Sequence, residues 1–304
     1  MTAARFLLWL CPAPLKGGVR VLLLPMPKEM LLSNIPKSIL SEATQEHWHY
    51  TVGFIRLGVT GRQQTAELLG SGVLVTAKNQ LAILTAHHVL KVLPKSGRLG
   101  LVLSDKEEKT NIDVNGIGYV EMDRGQIDAD GPDIGFVRLS DVVASSIGAT
   151  KSFYNLDKHK EAFRKSPPRD DAGVWDAQGF IEQLTLVDTQ ANPRKMVKAF
   201  CQFGAFGGVK EYEERGKYDY CKFPLEDMEV DQEPSDFGGI SGGGLWQIVL
   251  GETEEGEVKV KESLLRGLVY FQDPFDEQGH SALRCHAHKS IYEHAYREIA
   301  NSAP

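Results

Sequence analysis

The sequence predicts an all-β protein made of two strand-rich halves, a bridging segment and a closing helix. Three observations carry that expectation. Short apolar runs recur along most of the 304 residues, turn residues separate them, and little helical periodicity lies between. Thirty glycines against fourteen prolines suit a chain with many tight turns.

Residues 1–48 read as an N-terminal extension. Arg5 and the run Phe6-Leu7-Leu8-Trp9-Leu10-Cys11 have the look of a stunted signal peptide, but Pro12 and Pro14 break it after six apolar residues. A second run, Val19 to Leu24, ends at Pro25. The simplest expectation is a loosely ordered extension or a start at Met26 or Met30, with secretion or periplasmic export the weaker reading. Ser38 to Trp48 is compatible with a short helix leading into the first half.

Residues 49–150 form that half. Strand-like segments are expected at Tyr50–Val59, Ser71–Thr76, Ala82–Thr85 and Leu99–Leu103, and again at Gly116–Met122 and Ile134–Leu139. Thr60-Gly61-Arg62, Lys78-Asn79-Gln80 and Lys95-Ser96-Gly97 punctuate them. Such spacing points to a barrel or sandwich rather than βαβ units. At 151–172 the composition turns polar, and Lys158 to Lys165 is helix-permissive up to Pro167-Pro168, as a linker insertion would be.

The second half, 173–285, should hold strands at Val174–Ile181, Leu184–Val187, Met196–Phe203 and Tyr218–Pro224. Leu245–Leu250 and Glu257–Leu265 flank an acidic turn as a hairpin does, and Gly267–Gln272 adds another strand. Glu211 to Arg215 reads as solvated turn charge. Residues 286–304 read as a C-terminal amphipathic helix, with Ile291, Ala295 and Ile299 four apart on one face.

The net charge of −7 gives no reason to expect a nucleic-acid or anionic-membrane partner, and no apolar stretch reaches membrane-spanning length. Four cysteines without a Cys-x-x-Cys pair read most simply as free thiols in a reducing, cytoplasmic compartment. A Cys201–Cys221 bridge across a hairpin is the alternative.

Three segments carry chemistry. Acyl transfer needs a nucleophile, a base, a group that orients the base, and donors for the oxyanion. Leu84-Thr85-Ala86-His87-His88 ends an apolar strand and follows Gly70-Ser71-Gly72-Val73. Asp133 opens the apolar run Ile134 to Leu139. Ser241 sits in Gly238-Gly239-Ile240-Ser241-Gly242-Gly243-Gly244, where five glycines framing one serine are an unusual way to make a plain turn.

This set resembles the trypsin-like serine proteases. The family's base lies in a Thr-Ala-x-His strand end, its orienting carboxylate in an Asp-Ile-Ala-hydrophobic segment, and its nucleophile in Gly-x-Ser-Gly-Gly. The resemblance therefore implies His88 rather than His87 as base, Asp133 as orienting acid, Ser241 as nucleophile, and the N–H groups of Gly239 and Ser241 as oxyanion hole. His88 and Asp133 lie 45 residues apart, as in the chymotrypsin template at about 45. It implies two six-stranded antiparallel β-barrels of chymotrypsin type, a polypeptide substrate, and no cofactor. Ser235, Asp236, Tyr270, Phe271 and Gln272 would line the primary substrate pocket. Ile240 stands where digestive members carry the Asp that pairs with a zymogen-released N-terminus, so no such switch is expected, as in the bacterial and viral branches. Val89 replaces a cysteine frequent in secreted relatives.

Rival readings are weaker. Gly239-Ile240-Ser241-Gly242-Gly243 also fits the nucleophile elbow of α/β-hydrolases, whose order would then require Asp273 or Asp276 and His280, His286 or His288. The strand–helix alternation of that fold is missing. A triad-bearing but silent binding module is a further alternative. Cys285-His286-Ala287-His288 has metal-ligand chemistry without a second cluster, so no metal is expected. A regulatory protein partner is left open.

Overall fold

The computed structural model describes residues 20–23, 28–60, 63–103, 110–122, 132–165, 169–170, 172–188, 197–225, 234 and 236–302. The signal-like run at 6–11 and the substrate-pocket candidate Ser235 lie outside them. A hairpin of β1 (Arg20–Leu23) and β2 (Lys28–Leu31) is followed by α1 (Lys37–Trp48).

The first sheet contains β3 (Thr51–Thr60), β4 (Gln63–Ala77), β5 (Gln80–Thr85), β6 (Arg98–Val102), β7 (Thr110–Asp113), β8 (Ile117–Glu121) and β9 (Gly135–Leu139). Their spatial order is β7-β6-β3-β4-β5-β9-β8, and the short β10 (Tyr154–Asn155) runs parallel to β4. The two edge strands, β7 and β8, are consecutive in the chain and joined only by Val114–Gly116. Three residues reach about 10 Å at full extension, so the sheet must curl until its edges approach. Helix α2 (His87–Val92) follows β5, α3 (Asp141–Gly148) follows β9, and α4 (Leu156–Lys165) leads toward the second sheet. The linker insertion is thus largely helical.

The second sheet is built from β11 (Val174–Phe180), β14 (Gln202–Gly207), β15 (Lys210–Arg215), β16 (Tyr218–Pro224), β17 (Gly244–Glu252), β18 (Val258–Gln272) and β19 (Ala282–His286), with β12 (Leu186–Asp188) and β13 (Val197–Ala199) pairing as a separate hairpin. The order is β14-β11-β17-β18-β19-β16-β15. Here too the edges are neighbours in sequence, linked by Gly208 and Val209 alone. A wide-pitched turn at Ser290–Ala295 and α5 (Tyr296–Asn301) close the described chain.

The protein is mostly β, with two antiparallel sheets and a short C-terminal helix, as a chymotrypsin-like double barrel requires. The sheets hold eight and seven strands rather than six each. Two of the strands without an expectation are rim strands: β7, and the charged β15, which carries the residues read as turn charge. The terminal helix also starts later than residue 286. His286 is instead the last residue of β19, where backbone pairing with Tyr220 and Leu268 outcompetes the helical pattern. The segments 257–265 and 267–272 form one strand, because Arg266 is an extra residue against β17: Leu245 faces Gly267 and Trp246 faces Leu265. A second bulge places Tyr270 between Val269, opposite Cys285, and Phe271, opposite Arg284.

Apolar burial joins the halves. The largest cluster gathers Phe54, Leu74, Leu84, Leu90 and Phe136 from the first sheet with Trp246, Leu268 and Tyr270 from the second, and Ile291 and Ile299 from the C-terminal turns. Each such side chain contributes about 1.5–3 kcal/mol when fully buried. Segments 84–90, 132–137 and 240–246 all touch this seam, so it fixes their relative position.

Candidate active site

Strand β5 ends at Thr85 and turns at once into α2, which lifts His88 from the seam. Ala86, the residue before α2, has no side chain able to cap the helix. Asp133 fills that role: its Oδ1 accepts from the His88 N–H at 2.8 Å. Its Oδ2 accepts from Nδ1 of the same imidazole at 2.5 Å. Because a carboxylate only accepts, this places a proton on Nδ1, so that in the neutral ring Nε2 is the acceptor. The Asp133 side chain is 3% exposed and that of His88 26%, so the carboxylate is sealed while the ring keeps an open edge. Burial raises the Asp133 pKa, but the hydrogen bonds and charge of His88 outweigh it and hold the carboxyl below the usual range. His87 points elsewhere. It is buried, with Nε2 3.2 Å from Glu121, too poorly aligned to make a hydrogen bond.

The Ser241 loop is fastened to β4. Ser71 N–H donates to the Ser241 carbonyl at 2.8 Å, and Ser71 Oγ donates to the Gly239 carbonyl at 2.7 Å while accepting from Phe180 N–H. Thr85 Oγ1 donates to the Ser71 carbonyl at 2.6 Å, tying the strand before His88 into the same clamp. Gly242 has φ +87°, and a Cβ there would stand 2.0 Å from the Ser71 oxygen. Only glycine allows this approach. Gly239 also has positive φ, at +97°. Among the described residues the N–H groups of Gly239 and Ser241 have no protein acceptor. Ser241 Oγ lies 3.5 Å from the Tyr270 carbonyl, and among the described residues no hydrogen bond joins it to His88. Ile240 is buried with Phe237 and Leu245, so the loop is anchored by an apolar contact.

Of the pocket candidates, Asp236 is exposed, and its Oδ1 accepts from Gly238 N–H at 2.7 Å. Gln272 Oε1 accepts from Phe237 N–H at 3.1 Å, bridging β18 to the segment ahead of Ser241. Tyr270 is buried and its ring packs on Tyr220 and His286. Phe271 is half-buried. No disulfide joins Cys201, Cys221 and Cys285 among the described residues, and Cys221 faces Cys285 across β16 and β19 rather than Cys201. No cluster of metal-binding side chains occurs among the described residues.

Two participants went unrecognised in the sequence. Ser71 was visible inside Gly-Ser-Gly, but nothing local distinguishes a loop clamp from an ordinary strand serine. By sequence His286 groups with His288, in a run with metal-ligand chemistry that opens the expected terminal helix. In the structure His286 lies fully buried behind Asp133, whose N–H donates to its Nε2 at 3.0 Å.

No protein-family model matches the chain, and no curated protein matches it. Among solved structures it is similar to the HtrA-type protease AlgW with decapeptide, at 13% identity and a TM-score of 0.45, over 86% of this chain and 67% of that one. It is also similar to a structure concerned with coupled folding and binding of the Sesbania mosaic virus VPg protein, at 15% identity and a TM-score of 0.42, over 84% of this chain and 92% of that one. Likenesses this distant carry no weight for the activity.

Proposed function

We propose that this chain is a serine endopeptidase that cleaves peptide bonds through an acyl-enzyme on Ser241. The observation that carries the reading is the sealed Asp133 carboxylate on Nδ1 of a half-open His88, at 2.5 Å. With Nδ1 committed to Asp133, Nε2 of the neutral ring is the nitrogen left to serve as general base. The clamp between Ser71 and the loop supports the assignment of Ser241 as nucleophile.

In this mechanism the Ser241 hydroxyl exchanges its long hydrogen bond to the Tyr270 carbonyl for one to His88 Nε2. As Oγ attacks the scissile carbonyl, Nε2 takes its proton and Asp133 stabilises the imidazolium. The carbonyl oxygen becomes an oxyanion received by the N–H groups of Gly239 and Ser241. His88 then protonates the departing amine. Water repeats the sequence to release the acid. The substrate is a polypeptide, and the proposed setting is a reducing, cytoplasmic one, which sparse cysteines without a Cys-x-x-Cys pair suit. The antiparallel sheets oppose the α/β-hydrolase alternative.

A fluorophosphonate probe tests the reading. Labelling is expected in the wild-type protein, absent in Ser241→Ala, and slowed by about a thousandfold in His88→Ala. Folded wild-type protein that stays unlabelled would favour the silent binding module. Peptide-library cleavage then separates protease from esterase.

A further inference from the structure

We infer that His286 is a positioning residue for the Asp133–His88 pair, holding the main chain of Asp133 from the far barrel. The inference rests on the roles proposed above for those two residues. Asp133 is followed by β9 of the first sheet, yet its N–H donates to Nε2 of His286, the last residue of β19 in the second. The same aspartate thus presents its carboxylate to His88 and its amide to His286.

The second imidazole is itself held on every side. Burial pushes its pKa down to about 4, so it is neutral near pH 7 and its Nε2 is free to accept. The proton then sits on Nδ1, 3.4 Å from Ser290 Oγ. Ser290 Oγ donates to Asp219 Oδ1 at 2.7 Å, and that carboxylate also accepts from the N–H groups of Ser290 and Lys289. The rings of Tyr220 and Tyr270 lie 4.9 Å from His286 and that of Tyr218 5.6 Å, which leaves the imidazole little room to rotate. A relay of hydrogen bonds therefore runs from the C-terminal turns, through Ser290 and His286, to the amide of the proposed orienting acid. Losing it would let Asp133 drift against His88, and a displacement of about 1 Å in such a constellation can cost about a hundredfold in rate.

The experiment pairs two readouts on His286→Leu and His286→Gln. The first is the low-field proton resonance of the His88–Asp133 hydrogen bond, which needs no working nucleophile. The second is fluorophosphonate labelling, resolved into probe affinity and the rate constant of the bound state. His286→Leu, without an acceptor, should shift or abolish the resonance and slow the bound-state step by about tenfold to a hundredfold, with affinity little changed. His286→Gln, whose amide oxygen can take the Nε2 position, should restore the resonance and most of the rate. A wild-type protein lacking the resonance, a His286→Leu protein with both readouts unmoved, or a His286→Gln protein as impaired as His286→Leu overturns the inference. If His286→Leu does not fold, Ser290→Ala replaces it and should give a smaller shift in both readouts; wild-type behaviour there also overturns it. Should the wild-type protein fail to label while His286→Leu still moves the resonance, the protease reading fails and the positioning role stands.

Discussion

Gly242 shows how a residue with no side chain can carry the demands of a site. Its α-carbon hydrogen faces the Ser71 carbonyl and Thr85 Oγ1, which a Cβ would meet at 2.0 and 2.2 Å, and its φ of +87° disfavours any L side chain. Gly242→Ala should therefore lose on the order of 2–4 kcal/mol of stability and slow probe labelling at least tenfold. Gly256 is the control, with similar φ but open space around it. Gly256→Ala should lose only about 1–2 kcal/mol and label at the wild-type rate. Urea unfolding midpoints of the two variants, measured side by side, check the contrast, and equal losses would refute a steric role for Gly242.

Among the elements, α1 has an attachment that its amphipathic pattern alone does not explain. His47 near its end is fully buried, stacked on Trp246 at 4.5 Å, with Nδ1 2.8 Å from the fully buried Asp176 of β11. Without His47 the buried Asp176 keeps the Gln178 amide as a side-chain donor but loses its imidazole partner. His47→Ala should therefore cost about 3–5 kcal/mol, whereas replacing both His47 and Asp176 by Leu should recover part of that loss. Chemical denaturation of the three proteins tests it. This pair was invisible in the sequence, because His47 and Asp176 are far apart and neither lies in a motif. By contrast, most strands and the His88, Asp133 and Ser241 segments were legible, since alternation, turn residues and glycine spacing are local signals. The failures have separate physical origins. Strand β18 looked like two because bulges interrupt its alternation, β15 looked like turn because an exposed rim needs no apolar face, and β19 is specified by its neighbours rather than by its own pattern. The charge of β15 has its own use, since a charged edge resists pairing with another chain.

For the whole molecule, acid is the expected weakness. The folded pKa of His286 is about 4, below the ordinary value of 6.5, so between those values the unfolded chain binds more protons. Stability contributed by the neutral imidazole is full above about pH 6.5, falls as the pH drops, and is exhausted below about 4. For this fully buried group the loss is on the order of 3 kcal/mol. His159, also pushed to about 4 by burial, acts in the same direction. Asp133 does not offset this, because its depressed pKa makes its own stabilisation fade only at lower pH. Unfolding free energies measured at pH 7.5 and 4.5 should show the decline, and His286→Gln should flatten it; an unchanged slope would rule out His286 as its source.

The bulges of β18 also set the terms on which this molecule can diverge. In a strand each residue added or removed exchanges the two faces for everything downstream. The extra residues Arg266 and Tyr270 exchange them twice within five positions, relative to different neighbours, before the chain reaches Gln272. Substitution along this strand alters one contact at a time, whereas loss of a single residue would turn Phe271 and Gln272 to the opposite face. Lineages descended from this chain can thus be expected to vary the letters here freely while keeping their number.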